Sequence, residues 1–273
     1  KHPKGLPYLF FTEMWERFGF YLMLAIFVLF LNEKMGIPED IATKQYYGRY
    51  MAAVYFTPLA GGWTADKIGY QRSVKIGAWL LSLGYFILAY FVYTVVRKAN
   101  TDETAMYIAL GILCCGNGLF KPNISTLVGR LYPEGGVMKD AGFSIFYVGI
   151  NLGALAAPYA ASEIRLVAGW DWAFAMAGVG MLISQAILYF WGKAYLNWTE
   201  EKSENIQAVE RVTGVPLNEN AQDIDKPEPR EVERRKLKAI FTVAFTIMIF
   251  NMAFHQNGST MTLMARDNTY RAW

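Results

Sequence analysis

Two acids and two bases stand out inside long apolar runs of this chain. Glu13, Glu16 and Arg17 fall within a run at about 8–31, and Lys121 sits near the middle of another at about 105–130. Positions i, i+3 and i+4 of an α-helix share one face, so the first three side chains project together, with Phe20 and Leu24 further along. An ionised side chain at a bilayer centre costs roughly 2.5–3.5 kcal/mol, and less toward a helix end. Two acids and two bases turned inward offset that cost by neutralising one another. Such a set suits a proton relay, because protonating a Glu releases its Arg or Lys partner. It equally suits a static ion-pair network that fixes the two runs against each other.

Other polar groups in the apolar runs are Tyr21, Tyr55, Tyr147, Asn151, His255 and Gln256. They either line a cavity or hydrogen-bond between helices. Pro58, Pro122 and Pro158 are expected to interrupt their spans and free carbonyls. Gly149 and Gly153 form a small-xxx-small pair suited to close helix packing. The adjacent Cys114 and Cys115 fill space and exclude a disulfide scaffold. No nucleophile–base arrangement, phosphate loop, nucleic-acid motif or metal-ligand spacing stands out, and His2 and His255 are the only histidines. The expectation is no enzyme, no cofactor, no metal and no nucleic-acid partner.

The elements that must carry these residues follow from composition. The chain has 273 residues, of which 54% are hydrophobic and only 18% charged, against about a quarter charged in soluble proteins. Residues 193–238 hold 19 of the charged residues, leaving roughly one in eight elsewhere. A soluble domain, a fibre or a disordered chain does not fit this pattern. About 20 apolar residues cross a bilayer core of about 30 Å. Seven stretches qualify: about 8–31, 46–65, 74–96, 105–130, 142–162, 172–192 and 238–262. Alternating ten-residue strands of a membrane barrel are not visible.

Lys and Arg concentrate before the first span, between the second and third, between the fourth and fifth, and between the sixth and seventh. By the positive-inside rule the N-terminus and the 193–237 linker are cytoplasmic, in a multi-pass protein of the plasma (inner) membrane. Trp170, Trp172, Trp191, Tyr46 and Tyr47 fall near span ends, where amphipathic rings favour the headgroup layer. The linker reads as a solvated strap, or as a binder of anionic lipid through Arg234, Arg235, Lys236 and Lys238. Many transporters join two six-helix halves this way, each half built from two three-helix repeats. The expected domains are therefore a six-helix bundle at 1–192, the linker at 193–237, and a seventh helix at 238–273 that begins a second bundle. On that expectation 273 residues are too few for both halves, and a chain opening on Lys1 lacks its first residues.

Short motifs add a resemblance. Gly62-Trp-Thr-Ala-Asp66-Lys67-Ile-Gly69-Tyr-Gln-Arg72 resembles the loop signature of the major facilitator superfamily, with glycines for a tight turn and an acid–base pair to latch helix ends. Glu13-Met-Trp-Glu16-Arg17-Phe18-Gly-Phe-Tyr21 is similar to the ExxERFxYY motif of the proton-dependent oligopeptide transporter family. Phe120-Lys121-Pro122-Asn123 resembles that family's helix 4 lysine motif. Phe143-Ser-Ile-Phe146-Tyr147-Val-Gly-Ile-Asn151 resembles its FYxxIN signature, and Phe254-His-Gln256-Asn-Gly-Ser259 its FxQxxS segment. The resemblance implies an all-α major facilitator fold that imports di- and tripeptides with protons by alternating access. It assigns proton coupling to Glu13, Glu16, Arg17 and Lys121. Substrate contacts fall to Arg17, Tyr21, Tyr55, Lys121, Tyr147, Asn151, Phe254 and Gln256.

The chain also departs from the pattern. Phe20 stands where the first Tyr of the pair is usual, and Leu24 where many members carry an Arg. Asn251 replaces a common Trp, and His255 sits where an acid is frequent. Losing a cation weakens the hold on a peptide carboxylate, so a modified peptide or another small zwitterion or anion is the alternative cargo. A receptor or scaffold that no longer transports is the reading from another class. Expected partners are small peptides, protons, the lipid bilayer and a second half of the same protein.

Overall fold

The computed structural model describes residues 1–192 apart from 101, 133 and 134, together with residues 234, 235, 238, 239, 242, 246 and 264. The chain divides into two units, Lys1–Glu200 and Glu201–Trp273. Among the described residues all regular structure is helical. The first unit contains α1 (Leu6–Met35), α2 (Gly48–Ile68), α3 (Tyr70–Lys98), α4 (Thr104–Arg130), α5 (Gly136–Val167) and α6 (Trp170–Ile187). A short turn at Glu39–Ile41 and a π-helical stretch at Ala42–Tyr47 lead into α2, and a second π-helical stretch, Leu188–Gly192, continues α6. The first six expected spans each fall on one of these helices; nearly all of the seventh, with Phe254, His255 and Gln256, lies outside the described residues.

Helices α1, α3, α4 and α5 run 27–32 residues, or about 40–48 Å at 1.5 Å per residue. Helices α1, α3 and α5 overrun their apolar windows by several residues. Together with Trp170–Phe190, these three and α4 are, among the described residues, the five helices long and apolar enough to cross a membrane. Helix α2 has 21 residues, enough for a core of about 30 Å, yet it is less apolar than the others, because Arg49, Asp66 and Lys67 lie in it beside Thr57, Gly61, Gly62 and Thr64.

Packing follows a pattern of its own. Helix α1 packs on α5 and α6, α4 packs on α2 and α3, and α3 packs on α6. Exchanging α1 with α4, α2 with α5 and α3 with α6 maps this set of contacts onto itself. That is the symmetry expected of two three-helix repeats.

Glycines set the closest approaches. A Cβ on Gly153 would meet Met14 O, and would lie 3.0 Å from Phe18 N and 3.2 Å from Arg17 Cβ, so α5 touches the α1 backbone beside the charged residues. Gly149 meets Phe10 one turn earlier. On the other side Gly77 approaches Gly116, and Gly118 approaches Thr57 and Gly61. Between α2 and α3 the chain turns on Gly69 alone, at φ 90°. At the start of α4 the exposed Asp102 accepts hydrogen bonds from the Thr104 hydroxyl (2.7 Å) and amide (3.0 Å). Those bonds hold its carboxyl below the ordinary range.

Pro58, Pro122 and Pro158 do not break their helices; each lies inside a continuous one. One of the freed carbonyls finds a local donor, and a second is closely packed. Val54 O, which Pro58 cannot reach with an N–H, accepts the Thr57 hydroxyl at 3.4 Å. Gly118 O, left by Pro122, lies against Gly61, where a side chain would collide with it. Tyr46 and Tyr47 also differ from a simple headgroup placement. Tyr46 donates to the Glu103 carboxylate at 2.8 Å and stacks on Tyr107, while Tyr47 is buried.

We predict that Gly153→Val destabilises the full-length protein by about 1–3 kcal/mol, the usual cost of overpacking a tight contact. Its thermal midpoint in detergent should fall below that of wild type; an unchanged midpoint would contradict the close α1–α5 contact.

Candidate functional site

The site begins with α1. Its acids and base are held inside the bundle: Glu13 is 2% exposed, Glu16 0% and Arg17 3%. Burial this complete follows from neighbours on two sides. Gly153 of α5 admits the α1 backbone, and Ser184 of α6 donates to Thr12 O at 2.9 Å.

Arg17 is committed to carboxylates. Its Nε and NH2 groups both donate to Glu16, the second at 2.6 Å to Oε1. Its Nε also lies 3.4 Å from Glu13 Oε1, and its guanidinium stands 4.8 Å over the Phe20 ring. Glu13 Oε2 is buried with no hydrogen-bond partner among the described residues. One base against two acids leaves this triplet one negative charge in excess.

Lys121 supplies the balancing charge from α4. It lies within Coulomb range of Arg17, Glu16 and Glu13, yet makes no ion pair within 4 Å among the described residues. Its ammonium instead sits 5.2 Å from the Tyr55 ring centroid. The structure thus brings Glu13, Glu16 and Arg17 into contact and leaves Lys121 facing them, half-buried and uncommitted.

The tyrosines extend this set toward the surface. Tyr21 is half-buried, within Coulomb range of Arg17 and of Tyr147. Tyr55 is 45% exposed and Tyr147 62%. Asn151 shares an α5 face with Tyr147 and donates to its backbone oxygen at 2.9 Å. Phe20 and Leu24 are each 3% exposed, so neither position adds a polar group to the open side. Phe254 and Gln256 lie outside the described residues.

Several polar residues near the charges escaped the sequence reading. Tyr50 and Tyr85 are buried within Coulomb range of Glu16 and Arg17. Asn117 is buried on α4. The one available signal was the i, i+4 spacing of Asn117 and Lys121. Nothing in the sequence marks the two tyrosines apart from their neighbours.

The expected acid–base latch of the Gly62–Arg72 segment takes another form. Asp66 accepts the Tyr70 hydroxyl, and Arg130 of α4 stacks over the Tyr70 ring at 4.2 Å. Lys67 lies over Trp63 at 3.5 Å. The helix ends are joined through an aromatic ring rather than an ion pair. Among the described residues no group of three or more His, Cys, Asp or Glu could hold a metal ion.

The sequence profile of the POT family (PTR2) matches residues 71–218. The chain is 38% identical over 199 residues to the peptide transporter YePEPT of Yersinia enterocolitica subsp. palearctica serotype O:3 (strain YE-P4), covering 71% of this chain and 37% of that protein. It is 36% identical over 199 residues to a di-/tripeptide transporter of Lactococcus lactis subsp. lactis (strain IL1403), covering 69% and 37%. Among solved structures it resembles a Glu-to-Gln mutant of a peptide transporter POT in complex with sulfate, at TM-score 0.65 and 34% identity. That match covers 78% of this chain and 45% of the other. The alignments span about 37% of the length of these curated relatives.

Removing one member of a buried ion pair typically costs about 3–5 kcal/mol, because the partner charge stays behind. We predict that Arg17→Ala lowers unfolding stability by that order, and that adding Glu13→Gln and Glu16→Gln recovers part of the loss. A denaturation series on the full-length protein checks this; equal stability of wild type and Arg17→Ala would contradict the ion-paired triplet.

Proposed function

The chain belongs to the POT family, and from that premise we propose that it acts as a proton-coupled symporter importing di- and tripeptides by alternating access. One observation carries the reading: a buried Glu13–Glu16–Arg17 triplet with one surplus negative charge, faced by Lys121, which no described residue pairs.

The electrostatics supply a mechanism. Together the four side chains sum to zero, which is the inexpensive state for an apolar interior. A peptide carboxylate that engages Lys121 adds a negative charge, and protonation of a triplet Glu restores neutrality. Release reverses both events, so neither charge crosses alone. Tyr21, Tyr55, Tyr147 and Asn151 offer neutral hydrogen-bonding groups on the open side, with Phe254 and Gln256 assigned to the same task by family resemblance. Neutral donors and acceptors suit a backbone common to all peptides while tolerating varied side chains. The names of the similar proteins, a peptide transporter and a di-/tripeptide transporter, support the same cargo.

A second cargo has its own observation. With Leu24 and Phe20 both buried, neither position gives a carboxylate a cation near the already paired Arg17. A modified peptide or another small zwitterion needs less from that end of the path. A thermal-shift screen of peptides against other metabolites separates the two, and stabilisation by metabolites without stabilisation by any di- or tripeptide would favour the second.

For the coupling itself, we predict that Glu16→Gln and Lys121→Ala each abolish gradient-driven peptide uptake in full-length protein while sparing or only weakly altering counterflow. Wild-type uptake that persists unchanged with a proton-gradient uncoupler would sink the coupling.

A further inference from the structure

Asn117 is a buried polar side chain that the proposed cycle does not use. It is 1% exposed, and neither its Nδ2 nor its Oδ1 has a hydrogen-bond partner among the described residues. Folded proteins pair nearly all such groups, with protein or with ordered water. An apolar residue of similar size would fill the same space without that demand.

Its position gives the amide a task. Cys114, Asn117 and Lys121 occupy one stripe of α4 at i, i+3 and i+7. Both flanking residues look toward the charged set. Lys121 is within Coulomb range of Glu13, Glu16 and Arg17. Cys114 Sγ lies 4.0 Å from Tyr50 O, and Tyr50 is in turn within Coulomb range of Glu16, Arg17 and Tyr85. Asn117 lies on α4 between Lys121 and the Cys114–Tyr50 contact, and both Lys121 and Tyr50 are within Coulomb range of Glu16 and Arg17.

Two further unsatisfied atoms lie around the same charges. The Tyr85 hydroxyl is fully buried without a partner among the described residues, within Coulomb range of Glu16 and Arg17. Glu13 Oε2 is the other. An amide that donates and accepts, a hydroxyl that does both, and a carboxylate oxygen that only accepts are a mixture that water satisfies.

We infer that Asn117 is a positioning residue that anchors buried water between Lys121 and the Glu16–Arg17 pair, and that protons exchange between the two parts of the charged set through that water. The inference rests on the proton-coupled reading above. In the exchange a proton leaves the Lys121 ammonium for the water as the water passes one of its own to a triplet carboxylate. The products are a neutral amine, a carboxylic acid and an unchanged water.

The water site is tested without any transport, by a structure of the full-length protein at a resolution that shows ordered solvent. Density within hydrogen-bond distance of Asn117 Nδ2 or Oδ1 is expected in wild type and is lost in Asn117→Leu. An amide bonded only to protein groups, or one with no density beside it, overturns the inference whatever the protein transports. In proteoliposomes Asn117→Leu should reduce gradient-driven peptide uptake about tenfold, the effect of one hydrogen bond to a charged group, with counterflow retained. Asn117→Ser, whose hydroxyl still holds water, should restore most of the driven uptake. Unchanged driven uptake in Asn117→Leu, or equal loss of uptake and counterflow, overturns it. If Asn117→Leu does not fold, Asn117→Ala removes the amide without added bulk and takes its place in both measurements. A wild-type protein that accumulates no peptide sinks the transport reading instead, and the solvent density then decides the role of Asn117.

Discussion

Charge neutrality inside an apolar bundle is the constraint on which the rest of this molecule depends. Glu13, Glu16 and Arg17 are buried together and leave one negative charge uncompensated. In a medium of low dielectric constant such an excess is expensive, and the compensating cation must stand nearby. Lys121 meets that need from a different helix and without a direct ion pair. Its distance from the triplet is therefore fixed not by its own contact but by the helices that hold α1 and α4 in place.

Those helices are arranged by the two-fold relation between the three-helix repeats. The charged residues sit on α1 and α4, the two helices that the relation exchanges, and each is braced by two others: α5 and α6 for α1, α2 and α3 for α4. Small residues make the bracing tight. Gly153 and Gly149 seat α5 on α1, while Gly61, Gly77, Gly116 and Gly118 bring α2 and α3 onto α4. Both central helices spend most of their faces on these neighbours, and the charges they carry lie within Coulomb range of one another.

Much of this was legible in the residue pattern. Apolar runs of bilayer length marked helices α1 to α6, because a chain in lipid must satisfy its backbone within each helix. The spacing of Glu13, Glu16 and Arg17 put them on one face, since helical periodicity is a local property. The small-xxx-small pair at Gly149 and Gly153 marked a contact surface and does make one. Other features were not legible. The prolines were expected to interrupt their helices, but each lies in a continuous one, and the Thr57 hydroxyl takes up one freed carbonyl. The latch after α2 was expected to be an ion pair, but Arg130 arrives from α4 and reaches Tyr70. The position of Arg130 beside Tyr70 is one that no local pattern encodes.

The sequence by itself determined the class of molecule, the number of helices in its first unit, the shared face of the charged triplet and the motifs that resemble its family. These depend on composition, period and short spacing, which are properties of one segment at a time. Only the tertiary structure decided that Arg17 is wholly committed to Glu16 and Glu13, that Lys121 is held apart beside Tyr55, and that Tyr50 and Tyr85 lie buried within Coulomb range of the same charges. Those are distances between helices far apart in the chain. They are set by how closely glycine contacts let backbones approach, and a buried charge is sensitive to each ångström of that separation.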